Sequence, residues 1–282
     1  MSSHILVCTD LDRTLLPNGA ESESPTARPR FSMVTAQPET CIAYVTGRHK
    51  VLVEKALKSY RLPVPDFVLA DVGTTIYELT DDGWSVWPEW SAEISGDWAG
   101  LDHARLQRLF KDLKALRLQE NSKQGNYKLS YYVSLQVDSR DLMEEMESRL
   151  EAEGVAASLI WSIDDPAGIG LLDVLPASAT KLHAIEFLMR RKGFSQEETV
   201  FAGDSGNDLP VLVSPLQAVL VANATADLRE QAQRLAAQNG HAEALYLAKG
   251  GYMGMNGNYS AGILEGLAHF LPETEQWWSK IK

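Results

Sequence analysis

The chain has 282 residues, of which 45% are hydrophobic and 23% are charged, and its formal net charge is -12. This length suits two domains better than one, and the composition is that of a globular protein with a sizeable buried core. The acidic balance argues against a surface that binds nucleic acid or an anionic membrane. No apolar stretch reaches the roughly 20 residues of a membrane span, and no signal-peptide core opens the chain. We therefore expect a soluble, cytoplasmic protein.

Strand-like and helix-like segments alternate along most of the chain, which is the pattern of a parallel α/β sheet. The predicted strands are apolar throughout, as strands buried on both faces are. They span residues 5–9, 41–46, 67–71, 171–175, 199–202 and 217–221. Apolar residues at helical spacing predict helices over residues 49–60, 180–192, 226–237 and 261–271. Residues 17–38 lack periodicity and predict a mobile surface loop with one short helix. The two cysteines, Cys8 and Cys41, lie in apolar runs and are expected to be buried, reduced thiols.

The middle of the chain has a different character. Residues 75–79 and 84–87 flank a turn and predict a hairpin, and helices are predicted over 101–117 and 142–153. Alternating polar and apolar residues over 127–137, with a further strand over 157–163, indicate an antiparallel sheet with one exposed face. We interpret residues 80–169 as an α+β domain inserted into a parallel-sheet domain made of residues 1–79 and 170–282.

Two carboxylates follow the first strand directly, at Asp10 and Asp12, with a hydroxyl at Thr14. Two acids this close are costly unless a cation lies beside them, and Mg²⁺ takes oxygen ligands of this kind. One aspartate could be a nucleophile that accepts a phosphoryl group, and the other a general acid and base. An ordinary turn, which Asp and Thr also favour, is the alternative.

Three later segments also place polar groups at element ends. Thr46, Gly47 and Arg48 follow the second strand and precede a helix, where open α/β sheets bind ligands and phosphates. Lys181 opens a helix against the helix dipole, a placement that neutralising a phosphate and an aspartate would explain. Residues 203–208 bring glycines, acids and an amide after a buried strand. An ordinary turn and a solvated lysine stay open for the first two segments taken alone.

In this order, the four segments resemble the four motifs of the haloacid dehalogenase (HAD) superfamily of phosphotransferases. They read Asp10-Leu11-Asp12-Arg13-Thr14, Thr46-Gly47-Arg48, Lys181 and Gly203-Asp204-Ser205-Gly206-Asn207-Asp208. The insertion between the second and third motifs resembles the α+β cap of the type IIB branch, and within it the sucrose-phosphate phosphatases. Residues 71–77, 173–176 and 261–270 add to that likeness. The resemblance implies a Rossmann-like parallel-sheet core with an inserted α+β cap that reads the leaving group.

The resemblance also implies roles for individual residues. Asp10 attacks the phosphate and becomes an aspartyl-phosphate, while Asp12 protonates the leaving sugar oxygen and then activates water. Thr46 and Lys181 complete the catalytic group, and Mg²⁺ is held by Asp10, Asp204 and the backbone carbonyl of Asp12. The residues assigned to substrate or phosphate are Thr46, Gly47, Arg48, Gly73, Thr74, Lys128 and Asn207. Supporting roles around the metal fall to Ser205, Asn207 and Asp208.

Substrate selection is assigned to the cap by the same resemblance. The candidates for contact with sugar hydroxyls are Glu120, Asn121, Lys128, Ser130 and Tyr131, with an exposed polar sheet face as the alternative. Four tryptophans near the domain junction are expected to pack rather than to stack on a sugar: Trp84, Trp87, Trp90 and Trp98. Arg13 stands where the superfamily more often has a small or amide residue, and we expect it to point to solvent.

The leading hypothesis is a Mg²⁺-dependent phosphomonoesterase that converts sucrose 6-phosphate to sucrose and phosphate. One alternative is a phosphatase for another glycosyl phosphate, of the mannosylfructose-phosphate or glycosyl-phosphoglycerate type, and another is a phosphomutase. A non-catalytic partner of a glycosyltransferase is a third, which the convergence of four costly polar groups disfavours. The expected partners are a sugar phosphate and, by resemblance, a glycosyltransferase of the sucrose-phosphate synthase type.

Overall fold

The structure is a computed structural model that describes residues 4–164 and 167–279. Its strands, numbered β1 to β12 along the chain, form one sheet of eight strands and one of four. The larger sheet contains β1 (Ile5–Thr9), β2 (Thr40–Val45), β3 (Phe67–Ala70), β4 (Thr75–Thr80), β5 (Gly83–Val86), β10 (Thr199–Gly203), β11 (Gln217–Leu220) and β12 (Leu245–Leu247). The smaller sheet contains β6 (Arg117–Leu118), β7 (Leu129–Ser134), β8 (Ala157–Asp164) and β9 (Ile169–Pro176). The helices are α1 (Ala27–Thr35), α2 (Lys50–Tyr60), α3 (Pro88–Ser95), α4 (His103–Leu109), α5 (Ser139–Ala152), α6 (Lys181–Lys192), α7 (Leu209–Leu212), α8 (Ala226–Gln238) and α9 (Ser260–Phe270).

The larger sheet has the order β12-β11-β10-β1-β2-β3-β4-β5. The strands from β12 to β3 run parallel, and the β4–β5 hairpin extends the sheet antiparallel to them. This arrangement confirms the predicted parallel α/β fold and the predicted hairpin. Because β1 lies between β10 and β2, the residues that follow these three strands meet at one edge of the sheet.

Both faces of the larger sheet are covered, which explains why its central strands are apolar throughout. In β1, Val7 packs into the cluster that includes α1 and α9, and Leu6 packs into the opposite cluster, against α6. Helix α1 lies in the segment predicted as a mobile loop with one short helix. Its Phe31 and Val34 are fully buried, and each contributes about 1.5–3 kcal/mol by burial. Helix α1 is therefore part of the core rather than part of a surface loop.

The smaller sheet is antiparallel, in the order β6-β7-β9-β8. In β7, Leu129, Tyr131 and Val133 are buried in a cluster with residues of α4 and α5. This alternation confirms the predicted antiparallel sheet that buries one face. The prediction that residues 171–175 form a strand of the parallel sheet is wrong. They lie in β9, where Leu172 and Val174 are fully buried but Leu171 and Asp173 are half-buried, as packing on one face of this part of the strand requires.

The predicted domain boundaries do not coincide with the change of sheet. Strand β5 still belongs to the larger sheet although it follows residue 80, and β9 belongs to the smaller sheet although it extends beyond residue 169. The division into a domain of residues 1–79 and 170–282 and an inserted domain of residues 80–169 stays a prediction. The helix predicted over residues 101–117 is wrong in length, since α4 ends at Leu109 and the chain then turns into the edge strand β6.

Both cysteines are free, with Cys8 buried and Cys41 half-buried. Within the two described ranges, no helix is both long enough and apolar enough to span a bilayer.

Candidate active site

A buried lysine joins two carboxylates at the edge where β1 and β10 end. The Nζ atom of Lys181, the first residue of α6, lies 3.1 Å from Oδ1 of Asp10 and 2.6 Å from Oδ1 of Asp208. It also donates a hydrogen bond to Oδ1 of Asn207 at 3.1 Å. The side chains of Lys181, Asp10 and Asp208 are 1%, 6% and 0% exposed. The unfavourable position of this lysine at a helix start is thus offset by two buried counter-charges.

The site still holds more negative charge than this lysine neutralises. Carboxylate oxygens of Asp10, Asp204 and Asp208 all lie within 4.8 Å of one another. Burial raises the pKa of Asp10 to about 8, against the lowering effect of Lys181, and the Asp208 charge adds to the rise. Burial likewise raises the pKa of Asp204 to about 6, again with a contribution from Asp208. This set of hard oxygen donors and excess negative charge suits a divalent cation such as Mg²⁺.

Asp12 is held apart from this group by an arginine from the second motif. Arg48 makes a bidentate contact with this carboxylate. Its Nε atom donates to Oδ2 of Asp12 at 2.7 Å, and a terminal guanidinium nitrogen donates to Oδ1 at 2.5 Å. The amide of Asn18 donates a further bond to Oδ1 at 2.7 Å. Burial alone would raise the pKa of Asp12, but the hydrogen bonds and charge of Arg48 bring it below its usual value. Asp12 is therefore an ionised, oriented carboxylate on the open side of the site.

A cleft of about 290 Å³ opens over these groups. Six predicted site residues line it, together with Arg13, Leu52 and Ser205: Asp10, Asp12, Gly47, Arg48, Asp204 and Asn207. Thr46 lies beneath this lining, fully buried, and its hydroxyl oxygen accepts the backbone N–H of Arg48 at 3.1 Å. Asn18 and Leu52 could not be predicted as site residues, because Asn18 lies in a loop and Leu52 in the first turn of α2, outside the four motifs.

Besides Thr46, three more predicted substrate residues are not among the described residues that line the cleft. Gly73 packs against the backbone of Thr180 at the start of α6, and the Thr74 hydroxyl donates to the carbonyl of Asp71. Lys128 is buried, with Nζ 3.2 Å from Oδ1 of Asp71 and 3.4 Å from Oδ2 of Asp173. Lys128 thus ties the smaller sheet to the turn after β3. The assignment of these three residues to substrate stays a prediction.

The expected sugar contact by Tyr131 is wrong. Its side chain is buried on the inner face of the smaller sheet, where its ring meets Phe110 edge to face with centroids 6.4 Å apart. The neighbouring Tyr132 points the other way, and its hydroxyl donates to Oε2 of Glu120 at 2.8 Å. Ser130 is also buried, and its hydroxyl donates to a backbone carbonyl, that of Lys123. The alternation already places Tyr131 on the same face as Leu129 and Val133, so its inward orientation could have been predicted from the sequence.

The junction tryptophans pack as predicted where they are buried. Trp90 and Trp98 are fully buried, and the indole N–H of Trp90 donates to the carbonyl of Gly73 at 3.0 Å. The Arg13 side chain is 45% exposed, as the prediction that it points to solvent requires, but its Nε atom also lies 3.4 Å from Oδ2 of Asp204, a contact that was not predicted.

Comparisons with known proteins assign the chain to a family. A family model described as sucrose-6F-phosphate phosphohydrolase matches residues 3–271. A putative HAD-like hydrolase from Nitrosococcus oceani is 56% identical over 98% of this chain and 74% of its own length. A probable sucrose-phosphatase 1 from Arabidopsis thaliana is 27% identical over 80% of this chain and 52% of its own length, so this chain spans about half of it.

A solved structure shares the fold. The sucrose-phosphatase of Synechocystis sp., determined in complex with sucrose and phosphate, superposes with a TM-score of 0.69 at 24% identity. The superposition covers 95% of this chain and 98% of that chain. The chain therefore belongs to the sucrose-6F-phosphate phosphohydrolase family, among the HAD-like hydrolases.

Proposed function

We propose that the chain is a Mg²⁺-dependent phosphomonoesterase that hydrolyses sucrose 6-phosphate to sucrose and phosphate through an aspartyl-phosphate on Asp10. The observation that carries this proposal is the buried Lys181 between Asp10 and Asp208, with Asp204 beside them at the floor of an open cleft. Such an arrangement gives a nucleophile, a fixed cation and a set of oxygen ligands in one place.

Asp10 and Asp204, with the backbone carbonyl of Asp12, would hold the ion. When bound, Mg²⁺ would neutralise phosphate oxygens and lower the pKa of the two buried carboxylates. Asp208 would support the metal site without contacting the ion. It pairs with Lys181, and its carboxylate accepts hydrogen bonds from the backbone N–H groups of Asp204 and Ser205, both at 3.1 Å. It thereby fixes the loop that carries Asp204.

The reaction takes two displacements at phosphorus. A carboxylate oxygen of Asp10 forms a bond to phosphorus as the bond to the sugar oxygen breaks, and Asp12 gives its proton to that oxygen. Asp12, now ionised, takes a proton from water while the water oxygen bonds to phosphorus and the bond to Asp10 breaks. Lys181 favours the ionised form of Asp10 before the attack and orients its carboxylate, and the hydroxyl of Thr46 and the backbone N–H of Gly47 bind the phosphoryl oxygens.

Asp12 must carry a proton for the first displacement, although Arg48 favours its ionised form. The substrate phosphate brings negative charge next to both groups, and this charge raises the pKa of Asp12. Arg48, which lines the same cleft, can share its guanidinium between Asp12 and a phosphate oxygen. In this proposal the binding of substrate phosphate to Arg48 therefore weakens the hydrogen bonds between Arg48 and Asp12.

The sugar phosphate class follows from the family, and sucrose 6-phosphate is the member that the family description names. A phosphatase for another glycosyl phosphate uses the same core residues and differs only in what the smaller sheet contacts. A phosphomutase would return the phosphoryl group to a sugar. The second carboxylate, Asp12, favours transfer to water because it can serve as the base for hydrolysis.

The test is a screen of sugar phosphates for phosphate release, with wild type, Asp10→Asn and Arg191→Asn compared. We expect the highest kcat/KM for sucrose 6-phosphate, no release by Asp10→Asn, and wild-type rates for Arg191→Asn, whose side chain pairs with Glu89 on the surface. EDTA should abolish release reversibly, with recovery on adding Mg²⁺. Release by Asp10→Asn would contradict the mechanism, while a clear preference for another sugar phosphate would contradict only the substrate.

A further inference from the structure

We propose that Arg13 competes with Mg²⁺ for the carboxylate of Asp204 and so sets how tightly the enzyme binds the ion. This inference rests on the magnesium site of the proposed function. The Nε atom of Arg13 lies 3.4 Å from Oδ2 of Asp204, and both residues line the cleft. The guanidinium of Arg13 thus already places a positive charge beside Asp204, a residue that the proposed function assigns to the metal.

The backbone of Arg13 is held in place at both of its polar groups. Its N–H donates to Oδ1 of Asn18 at 2.8 Å, and its carbonyl accepts from Nδ2 of Asn223 at 2.6 Å. Its φ of 59° is left-handed, a conformation that costs most non-glycine residues free energy. The side chain also passes beside Gly19, where an added Cβ would lie 3.6 Å from Nε. The direction in which Arg13 leaves the backbone is therefore fixed by the fold.

The two oxygens of Asp204 have different partners. Oδ1 accepts the hydroxyl of Thr14 at 3.1 Å, whereas Oδ2 faces the guanidinium of Arg13. A metal ion that uses Oδ2 meets a like charge across the same oxygen, which weakens its binding. The Asp204 side chain is 2% exposed and that of Arg13 is 45% exposed. The arginine can therefore turn toward solvent when an ion binds, while the carboxylate stays in place.

The size of the effect follows from this partial exposure. Solvent screens the guanidinium, so its removal should tighten Mg²⁺ binding by about three- to tenfold rather than by orders of magnitude. The same removal leaves Oδ2 of Asp204 without a cation when the metal is absent. The thermal stabilisation by Mg²⁺ should therefore be larger in the variant than in the wild type.

The experiment measures Mg²⁺ binding by calorimetry, and melting temperatures with EDTA and with Mg²⁺. Arg13→Asn removes the charge and keeps a residue that tolerates the left-handed conformation, Arg13→Gln is a second neutral variant, and Arg13→Lys keeps the charge. The matched control is Arg191→Asn, because Arg191 is 48% exposed and pairs with Glu89 at 3.1 Å in the last turn of α6. We expect a lower Kd for both neutral variants, and values near wild type for Arg13→Lys and for the control.

Unchanged or weaker binding in the folded neutral variants would overturn the role of Arg13. Asp204→Asn separates this result from a failure of the proposed function. If wild type binds Mg²⁺, Asp204→Asn does not, and Arg13→Asn equals wild type, the site stands and the competition is refuted. If wild type binds no Mg²⁺, both the proposed metal site and the inference fail.

Discussion

Gly73 lies where the turn after β3 meets the start of α6, and it has a φ of 93°. A Cβ at this position would lie 2.6 Å from the carbonyl oxygen of Thr180 and 3.1 Å from the backbone nitrogen of Lys181. These neighbours are backbone atoms, so they cannot rotate away as a flexible side chain would. Gly73→Ala must therefore displace the helix end that carries Lys181, or distort the turn itself.

Gly193, just beyond the other end of α6, provides the matched control. It has a φ of 78°, and an added Cβ would have no neighbour within 4 Å. A side chain in the left-handed conformation costs about 1–2 kcal/mol, which is the full expected loss for Gly193→Ala. Overpacking adds about 1–3 kcal/mol at Gly73, so we expect Gly73→Ala to lose about 2–5 kcal/mol.

Urea denaturation gives the free energies of unfolding, and phosphate release from the best sugar phosphate gives kcat. Because Lys181 must stay within reach of Asp10, Gly73→Ala should lower kcat by about 10- to 100-fold. Gly193→Ala should keep the wild-type kcat despite its lower stability. Equal stability losses in the two variants, or an unchanged kcat in Gly73→Ala, would refute the idea that Gly73 sets the position of Lys181.

Two further predictions concern charge. Lys181→Met leaves the buried carboxylates of Asp10 and Asp208 without their cation and should cost about 3–5 kcal/mol in urea denaturation at pH 8. Burial already raises the pKa of Asp10 to about 8 with the lysine present, and without the lysine this pKa lies higher still. Below pH 8 Asp10 is protonated in both folded proteins, so the loss should grow as the pH rises from about 8 to about 9.5, and a loss that shrinks with rising pH would contradict this. Arg48→Gln removes the main group that lowers the pKa of Asp12. Single-turnover phosphorylation, which needs protonated Asp12, should then persist to higher pH than in wild type, and an unchanged pH profile would show that Arg48 does not control that proton.

The meeting of Asp10 and Asp204 could be predicted because both follow apolar strands, and the ends of parallel strands share one edge of a sheet. The partners of these acids could not. The contact of Asp12 with Asn18 depends on a loop conformation, and the direction of Arg13 depends on hydrogen bonds between its backbone and the side chains of Asn18 and Asn223. Neither leaves a periodic pattern, because each is made by a single side chain.

The apolar run in strand β9 leads to the wrong prediction of a strand in the parallel sheet, and Asp173 is the residue that argues against that prediction. A parallel strand covered on both faces would have to bury Asp173, whereas a one-sided sheet can turn it away from the apolar interior. Asp173 pairs in register with Ser130 and reaches Lys128, which in turn contacts Asp71 in the turn after β3. This face of the smaller sheet is therefore the one turned toward the larger sheet. Because residues alternate along β7, Tyr132 shares it and Tyr131 does not, so a search for specificity residues should begin at Tyr132.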